Sequence, residues 1–277
     1  MENPILVIGA TGKTGRRVVA RLETRGISVK AASRSGQTRF EWNDKTTWGP
    51  ALDGARAVYI TYYPDLAFPG AAETVEEFAN LAVASGVKRL VLLSGRGEEG
   101  AQDAEQRIRN SGADYTLVRA AFFDQNFSEA FAETIQHGVL AMPGGDTVEP
   151  FIDADDIADV VVAALTDDKH IGQLYEVTGP RLMTLADVAT ELGDAMGRPL
   201  QYIPVTAAEY AEGLIASGFP AEEATPIAGL IAEVLDGRNS YLSDGVERAL
   251  GRKPRDFAVW ANETAASGVW DLAEVTS

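Results

Sequence analysis

The chain has 277 residues, of which 45% are apolar and 8% aromatic, so it is long enough for one large globular domain or for a domain with a smaller lobe. Its 24 basic and 41 acidic residues give a net charge of −17, which argues against nucleic acid and anionic membrane surfaces as partners. Cysteine is absent, which excludes a disulfide framework, a thiolate metal site and a cysteine nucleophile and is consistent with a reducing cytoplasm.

The apolar runs are short. The chain starts without a basic, then apolar, leader pattern, and stretches such as residues 160–165 fall far short of the roughly 20 residues needed to cross a bilayer. We therefore expect a soluble, cytoplasmic protein.

Strand-like and helical patterns alternate along the first half of the chain. Residues 4–8 are typical of a buried strand, and residues 14–24 carry apolar side chains on one helical face and stop before Gly26. Further strands are predicted at 28–33, 57–62, 89–93 and 115–119, and further helices at 46–52, 71–85 and 98–110. This alternation predicts an α/β fold with a doubly wound parallel sheet covered by helices on both faces.

The pattern is less regular after residue 121. A helix is predicted at 128–136, a second one within 151–165 and a strand at 173–179. From residue 184 onward the chain is mostly helical, with a strand-like segment at 201–205. We therefore predict a sheet domain from residues 1–123 and 151–178, and a smaller, mostly helical C-terminal lobe from residues 124–150 and 179–277.

Three glycines lie between the first predicted strand and the first predicted helix. Gly9, Gly12 and Gly15 form a G-x-x-G-x-x-G variant of the dinucleotide fingerprint in the required strand-to-helix context. Such a loop brings backbone N–H groups and the positive end of a helix to a pyrophosphate. The alternative is an ordinary glycine-rich turn, while a mononucleotide P-loop lacks its Gly-Lys-Ser/Thr ending here.

The end of the second predicted strand indicates which dinucleotide binds. Where an NAD site usually places an acidic residue, this chain has Ser33 and Arg34. A guanidinium suits a 2′-phosphate, and Lys13 in the loop supplies a second cation. The sequence therefore favours NADPH over NADH, the alternative being an Arg34 that faces solvent.

Five segments together resemble a known family, the NmrA-like branch of the atypical short-chain dehydrogenase/reductases. They are GATGKTG, GVKRLVLLSGRG, SGADYTLVRAAFFDQNFSE, EPFIDADDIADVVVAAL and YEVTGP. The resemblance covers nearly the whole chain. It implies a Rossmann domain that binds NAD(P)H and a variable C-terminal substrate lobe. The family includes quinone, imine and phenylpropanoid reductases as well as redox-sensing regulators.

The resemblance also assigns residues to the site, position by position. The phosphate loop comprises Gly9, Thr11, Gly12, Lys13, Thr14 and Gly15. Arg34, next to Ser33, corresponds to the 2′-phosphate contact, and Asn43 to the adenine contact. The walls around the ribose and nicotinamide correspond to Thr61, Tyr62, Tyr63, Ser94 and Gly95. Phe122 and Phe123 are expected beside the nicotinamide or its substrate.

The chain departs from the wider superfamily at the usual proton donor. There a Tyr-x-x-x-Lys pair follows the serine of the fifth strand, and some family members use a single lysine instead. Residues 96–114 contain neither tyrosine nor lysine. Ser94 and Tyr63 remain as catalytic candidates, although Ser94 is equally consistent with a loop cap and Tyr63 with packing. Arg96 and Glu105 belong either to the cleft or to a solvated helix face.

Aromatic residues predict the character of the substrate. Phe122, Phe123, Phe127 and Phe151 suit a flat apolar molecule, with core packing as the alternative, and Asn126 begins a segment expected to contact it. Asp153, Asp155 and Asp156 precede a helix and are interpreted as capping residues, not as a cation site. The two histidines are assigned no role, and no metal is expected.

These residues predict an NADPH-dependent reductase that transfers hydride to a small, flat, conjugated acceptor such as a quinone, enone or imine. The acceptor is expected between the carboxyl edge of the sheet, at Tyr63, Ser94 and Phe123, and helices in residues 126–136 and from 206 onward. Two alternatives stay open: a redox-sensing NADP-binding regulator without turnover, and a biosynthetic cyclase or lyase that reuses the pocket. The sequence leaves the oligomeric state open.

Overall fold

The computed structural model describes residues 3–272, which form two units by their internal contacts. The first unit comprises the described chain up to Ala120 together with Ala154–Val177 and Ser243–Lys253. The second comprises Ala121–Asp153, Thr178–Leu242 and the described chain from Pro254 onward.

The described residues contain eleven strands and eleven α-helices. In chain order the strands are β1 (Ile5–Ile8), β2 (Val29–Ser33), β3 (Thr38–Arg39), β4 (Ala57–Ile60), β5 (Arg89–Gly95), β6 (Asp114–Ala120), β7 (Val139–Met142), β8 (Val148–Glu149), β9 (Gln173–Val177), β10 (Met183–Thr184) and β11 (Gln201–Pro204). The helices are α1 (Gly15–Thr24), α2 (Trp48–Leu52), α3 (Ala71–Ala84), α4 (Glu99–Asn110), α5 (Ala132–Gln136), α6 (Ala154–Thr166), α7 (Leu185–Met196), α8 (Ala207–Ala216), α9 (Ala221–Val234), α10 (Gly245–Leu250) and α11 (Phe257–Ala266).

The first unit contains a seven-stranded parallel sheet in the order β3-β2-β1-β4-β5-β6-β9. This is the strand order of a doubly wound dinucleotide-binding sheet with one further strand added at its end. Helix α1 packs with α6, and α3 packs with α4. The α/β, Rossmann-type fold class predicted from the sequence is confirmed.

Strand β1 shows why the predicted apolar run becomes a central strand. All four of its residues are buried, because it pairs with β2 on one side and β4 on the other. Helix α1 presents Val18 and Leu22 to the interior. Gly26, at a φ of +70°, follows the end of the helix as the sequence predicted.

An aromatic cluster lies in the core of the first unit near the ends of β3 and β4. Phe40, Trp42, Trp48 and Phe78 are buried, with ring centroids 5.0–6.5 Å apart. The Trp42 indole donates to the carbonyl of Thr61 over 3.0 Å and packs on Tyr62 at 4.9 Å. The cluster therefore holds the segment that leaves β4 at the carboxyl edge of the sheet.

The second unit has its own core. Strand β11 pairs in parallel with β7, β10 pairs antiparallel with β8, and α7 packs on α11. Phe127, Phe257, Trp260 and Trp270 lie in its interior. The Trp270 indole donates to the carbonyl of Phe127 over 3.0 Å, which ties the start of this unit to the turn that follows α11.

Some predicted elements differ from the structure. The predicted helix at 128–136 is helical only over α5, after a three-residue 3₁₀ turn at Asp124–Asn126. The short strands β7, β8 and β10 were not predicted. Residues 243–253, predicted as part of the C-terminal lobe, pack in the first unit, because α10 lies against α6 and β9. A Cβ at Gly245 would lie 1.9 Å from the Glu176 carbonyl oxygen, so only glycine permits this approach.

Candidate functional site

The glycine loop forms a tight turn at the carboxyl end of β1. Gly9 has a φ of +67°, a conformation that favours glycine, and a Cβ there would lie 2.5 Å from Thr61 Oγ1. The Thr61 hydroxyl donates to the carbonyl of Ile8 over 3.1 Å. A side chain at Gly9 would therefore collide with the residue that ties the end of β4 to the end of β1.

Gly15 brings the start of α1 against the same turn. A Cβ at Gly15 would lie 2.1 Å from the Gly9 carbonyl oxygen, and the Gly12 N–H donates to that oxygen over 2.8 Å. The loop thus forms a cradle of backbone that a single Cβ would fill, as a pyrophosphate site at a helix N-terminus requires. The residues present fit a dinucleotide.

Thr14, in the glycine loop, is held by a hydrogen bond from a buried residue of β4. The Tyr59 phenol, which is fully buried, donates to Thr14 Oγ1 over 2.9 Å. Burial raises the pKa of Tyr59, so its phenol stays protonated as the donor. Thr11 is exposed and Lys13 half-buried at the outer side of the loop.

Arg34 lies at the other side of the loop, directly after β2. Its side chain is exposed, and its guanidinium carbon lies 4.8 Å from the centre of the Tyr63 ring. Ser33 is buried beside Gly36, where a Cβ would lie 2.7 Å from Ser33 Oγ. Asn43 is exposed in a turn closed by a bridge between Glu41 and Asp44.

The two tyrosines after β4 differ in environment. Tyr62 is half-buried and packs on Trp42, whereas the Tyr63 side chain is 62% exposed and lies beside Arg34. The structure therefore brings Arg34 and Tyr63 together at the carboxyl edge of the sheet, where Thr61 also follows β4. Trp42 was not predicted as part of this region, although its position next to Asn43 was a usable signal.

Ser94 is engaged inside the first unit. It is buried near the end of β5, and its hydroxyl donates to Glu105 Oε1 over 2.7 Å. Glu105 is fully buried and also accepts two hydrogen bonds from Arg119, at 2.8 and 2.6 Å. Ser94 is thus neither a free hydroxyl nor a loop cap in this conformation.

The charged residues near Ser94 form a buried network, and the solvated helix face considered from the sequence is wrong for Arg96 and Glu105. Arg96 is 2% exposed, and its Nε donates to Glu176 Oε1 over 3.0 Å. Arg119 Nη1 lies 3.6 Å from Glu176 Oε2. The network therefore connects α4, β6, β9 and the end of β5, which fixes the carboxyl edge of the sheet.

Glu98 is a further residue at this edge that the sequence analysis did not identify. A Cβ at Gly95 would lie 2.1 Å from Glu98 Oε2, so the carboxylate fills the space beside the last residue of β5. The run from Gly95 to Glu98, which includes two glycines, was the available signal.

In the second unit the predicted aromatic wall is largely a packed core. Phe127 and Phe151 are buried, and their ring centroids lie 5.5 Å apart. Phe122, Phe123 and Asn126 are half-buried and keep exposed surface.

The three aspartates near the start of α6 each bind an arginine. Asp153 accepts from Arg255 over 2.7 Å, Asp155 from Arg21 over 2.7 Å, and Asp156 lies 2.6 Å from Arg252. Among residues 3–272, no group of three or more His, Cys, Asp or Glu side chains is arranged to hold a metal ion.

Two family models match the chain. An NAD(P)H-binding model matches residues 9–168, and the NmrA-like family model matches residues 101–259, more than half of the chain in each case. The chain belongs to the NmrA-like family. The glycine loop described above lies at the start of the region that the NAD(P)H-binding model matches.

Curated relatives and solved structures agree with this placement. The chain is 30% identical to the uncharacterized oxidoreductase YesF of Bacillus subtilis, over 96% of each protein. It is 32% identical to the NAD(P)H azoreductase of Xenophilus azovorans, over 95% of this chain and 98% of the relative. The NADPH complex of the quinone oxidoreductase QOR2 from Escherichia coli shares the fold, with a TM-score of 0.75 at 22% identity over 94% and 99% of the two chains. This NmrA-like protein is thus a member of a family of NAD(P)H-binding oxidoreductases.

No helix within residues 3–272 is both long and apolar enough to cross a bilayer.

Proposed function

We propose that this chain is an NADPH-dependent reductase of small, flat, conjugated acceptors such as quinones, enones or imines. The observation that carries the cofactor assignment is Arg34, which directly follows β2 and is exposed there. An NAD site usually places an acidic residue at this point to accept from the ribose hydroxyl. A guanidinium instead forms charge-assisted hydrogen bonds to a phosphate.

The backbone cradle of the glycine loop indicates which residues hold the cofactor in this proposal. The backbone from Gly9 to Gly15 and the first turn of α1 hold the pyrophosphate, with Thr11, Gly12, Lys13 and Thr14 around it. Arg34 binds the 2′-phosphate beside Ser33, and Asn43 contacts the adenine. Thr61, Tyr62 and Gly95 line the remaining part at the carboxyl ends of β4 and β5.

The chain's own contribution to the chemistry is to position the acceptor and to supply a proton. When bound, the reduced nicotinamide supplies the hydride. We assign the proton to the Tyr63 hydroxyl, whose side chain is 62% exposed, or to water that reaches the same place. A conjugated acceptor becomes electron-rich on reduction, so it needs no dedicated acid of the Tyr-x-x-x-Lys type.

In this proposal Ser94 accepts a hydrogen bond from a ligand instead of donating one. A hydroxyl has a single proton, and that of Ser94 goes to Glu105. Toward a ligand Ser94 therefore acts as an acceptor, for which an N–H group is the complementary partner.

The acceptor class is supported by chemistry and by one relative. An azo group, like a quinone or imine, is flat and conjugated, and the relative named NAD(P)H azoreductase is 32% identical over nearly the whole chain. In the second unit, Phe122, Phe123 and Asn126 stay predicted substrate contacts, whereas the burial of Phe127 favours a packing role.

Calorimetry tests the cofactor assignment. Wild-type protein is expected to bind NADPH more tightly than NADH. Because a hydrogen bond to a charged group contributes about 1.5–3 kcal/mol, Arg34→Ala is expected to weaken NADPH about 10- to 150-fold without weakening NADH. Arg25→Ala, which removes an exposed cation after the far end of α1, serves as the matched control. Equal binding of both cofactors by the wild type would refute the NADPH preference.

The activity is tested by following the loss of NADPH absorbance with quinones, enones, imines and azo compounds as acceptors. Turnover of at least one class is expected. Cofactor binding without turnover on any class would instead favour the regulatory alternative, which a pull-down with oxidised and reduced cofactor would then examine.

A further inference from the structure

Arg34 and Tyr63 are in contact although their strands are not neighbours. Arg34 follows β2, Tyr63 follows β4, and β1 lies between these two strands in the sheet. Neighbouring strands are about 4.8 Å apart, so the ends of β2 and β4 are separated by about 10 Å. The guanidinium carbon nevertheless lies 4.8 Å from the centre of the Tyr63 ring. The pair therefore spans the carboxyl end of β1, where Gly9 begins the glycine loop.

This is the position across which a dinucleotide extends in a doubly wound sheet. The pyrophosphate lies at the glycine loop, the adenosine toward the end of β2 and the nicotinamide toward the strands on the other side of β1. We propose that the Arg34–Tyr63 contact lies across this crevice and must open before either NADPH or NADH binds. The inference rests on the proposed function, since it takes the loop as the dinucleotide site.

The ring of Tyr63 is what holds Arg34 over the loop. Within residues 3–272, Arg34 forms neither a hydrogen bond nor an ion pair, and its side chain is exposed. Without the ring, an arginine at this position would extend into water, where its charge is best hydrated. Tyr63 therefore determines where the guanidinium resides before the cofactor arrives.

The strength of the contact sets the size of the effect. Exposed cation–π pairs contribute about 0.5–1 kcal/mol. If only the open form binds cofactor, its apparent affinity is lowered by the fraction of molecules that are open, which corresponds to about three- to sixfold. NADPH and NADH are lowered equally, because both extend across the same loop, and only NADPH then gains the guanidinium as a partner.

Two substitutions at Tyr63 separate the ring from its hydroxyl. Tyr63→Leu removes the cation–π contact, whereas Tyr63→Phe keeps a ring on which the guanidinium can lie. In calorimetric titrations of the full chain, Tyr63→Leu is expected to bind both NADPH and NADH about three- to sixfold more tightly than wild type. Tyr63→Phe is expected to stay within about twofold of wild type for both.

Arg34→Ala also removes the contact, by taking away the guanidinium instead of the ring. It is expected to raise the affinity for NADH about three- to sixfold while NADPH weakens for the separate reason that its phosphate loses a partner. An affinity increase for NADH on removal of a cation is a result that a merely structural Arg34 would not produce.

The results distinguish this inference from the proposed function. Unchanged or weaker binding by Tyr63→Leu, or a gain for NADPH alone, would overturn the closed crevice even if NADPH is the preferred cofactor. Equal affinities of the wild type for the two cofactors would overturn the NADPH preference while leaving the Tyr63→Leu comparison decisive. If neither cofactor binds the wild type, both are overturned.

Discussion

Ser94 Oγ and Glu105 Oε1 are 2.7 Å apart in the interior of the first unit, and the hydroxyl is the donor. Glu105 accepts two hydrogen bonds from Arg119, which also approaches Glu176. A residue expected to serve a ligand is thus first of all part of an ionic network beneath the carboxyl edge of the sheet.

The stability of this network is testable at Glu105. Glu105→Gln replaces one of the two carboxylate oxygens that accept from Arg119 with an amide group that cannot accept, so we expect the free energy of unfolding to fall by about 3 kcal/mol. Urea denaturation would measure the change. The matched control is Glu73→Gln in the exposed ion pair with Arg107, where a loss below about 1 kcal/mol is expected. Equal losses at both positions would show that the network does not stabilise the fold.

The assignment of the proton donor is tested by kinetics. Tyr63→Phe is expected to lower kcat about ten- to a hundredfold, because water replaces the hydroxyl only in part. Ser94→Ala is expected to lower kcat/KM by about tenfold or more through loss of positioning. Tyr115→Phe, at the amino end of β6 and therefore at the opposite edge of the sheet, is the control. If both Tyr63→Phe and Ser94→Ala turn over like wild type, the proton comes from elsewhere.

Because α1 lies close to the end of β1, we predict that alanine destabilises the protein at Gly15 but not at a glycine with open space around it. Gly15→Ala places a Cβ 2.1 Å from the Gly9 carbonyl oxygen, so the loop must shift. We expect a loss of about 1–3 kcal/mol in the free energy of unfolding and a large loss of cofactor affinity. Gly213→Ala, within helix α8 and with open space around its Cβ, is expected to stabilise the protein by about 0.5–1 kcal/mol. Thermal unfolding and calorimetry of the two variants would decide, and a Gly15→Ala variant with wild-type affinity would contradict this account of the loop.

His170 predicts how stability depends on pH. It is fully buried, its Nδ1 lies 2.8 Å from the Tyr175 hydroxyl, and within residues 3–272 its Nε2 has no hydrogen-bond partner. Burial lowers the pKa of His170 below the ordinary value of 6.5. As pH falls, this histidine therefore binds a proton in the unfolded chain before it does so in the folded protein. The free energy of unfolding is unaffected above about pH 6.5 and falls below it, by up to about 1.4 kcal/mol per pH unit.

Denaturation curves between pH 7 and pH 5 would measure this dependence. We expect the free energy of unfolding of His170→Gln to change less steeply with pH over that range than that of wild type. Identical slopes would show that burial of His170 does not contribute to the acid sensitivity of the fold.

The sequence predicted best those elements whose signal is local. Strand β1, helix α1 and the glycine after it were predicted to within one residue, because an apolar run, a glycine loop and a helical stripe follow one another without interruption. Strands β7, β8 and β10 escaped prediction because they contain only two to four residues and depend on pairing with distant segments, as β7 does with β11.

At the site, too, only features with a local signal in the sequence were predicted. The glycine loop was visible as spacing. The network that holds Ser94 was not, because Glu105, its partner, and Arg119, which binds Glu105, are 11 and 25 positions further along the chain than Ser94. Charges along α4 resemble a solvated face in the sequence, and only the packing of α4 on the sheet shows that Glu105 points inward.

The chain passes between the two units five times, after Ala120, Asp153, Val177, Leu242 and Lys253. Neither unit is therefore a continuous segment, and a chain cut after Ala120, Asp153, Val177 or Leu242 would lack α10, which packs on α6 and β9 of the first unit. To exchange the second unit for another, a gene would need a new junction at each of these five points.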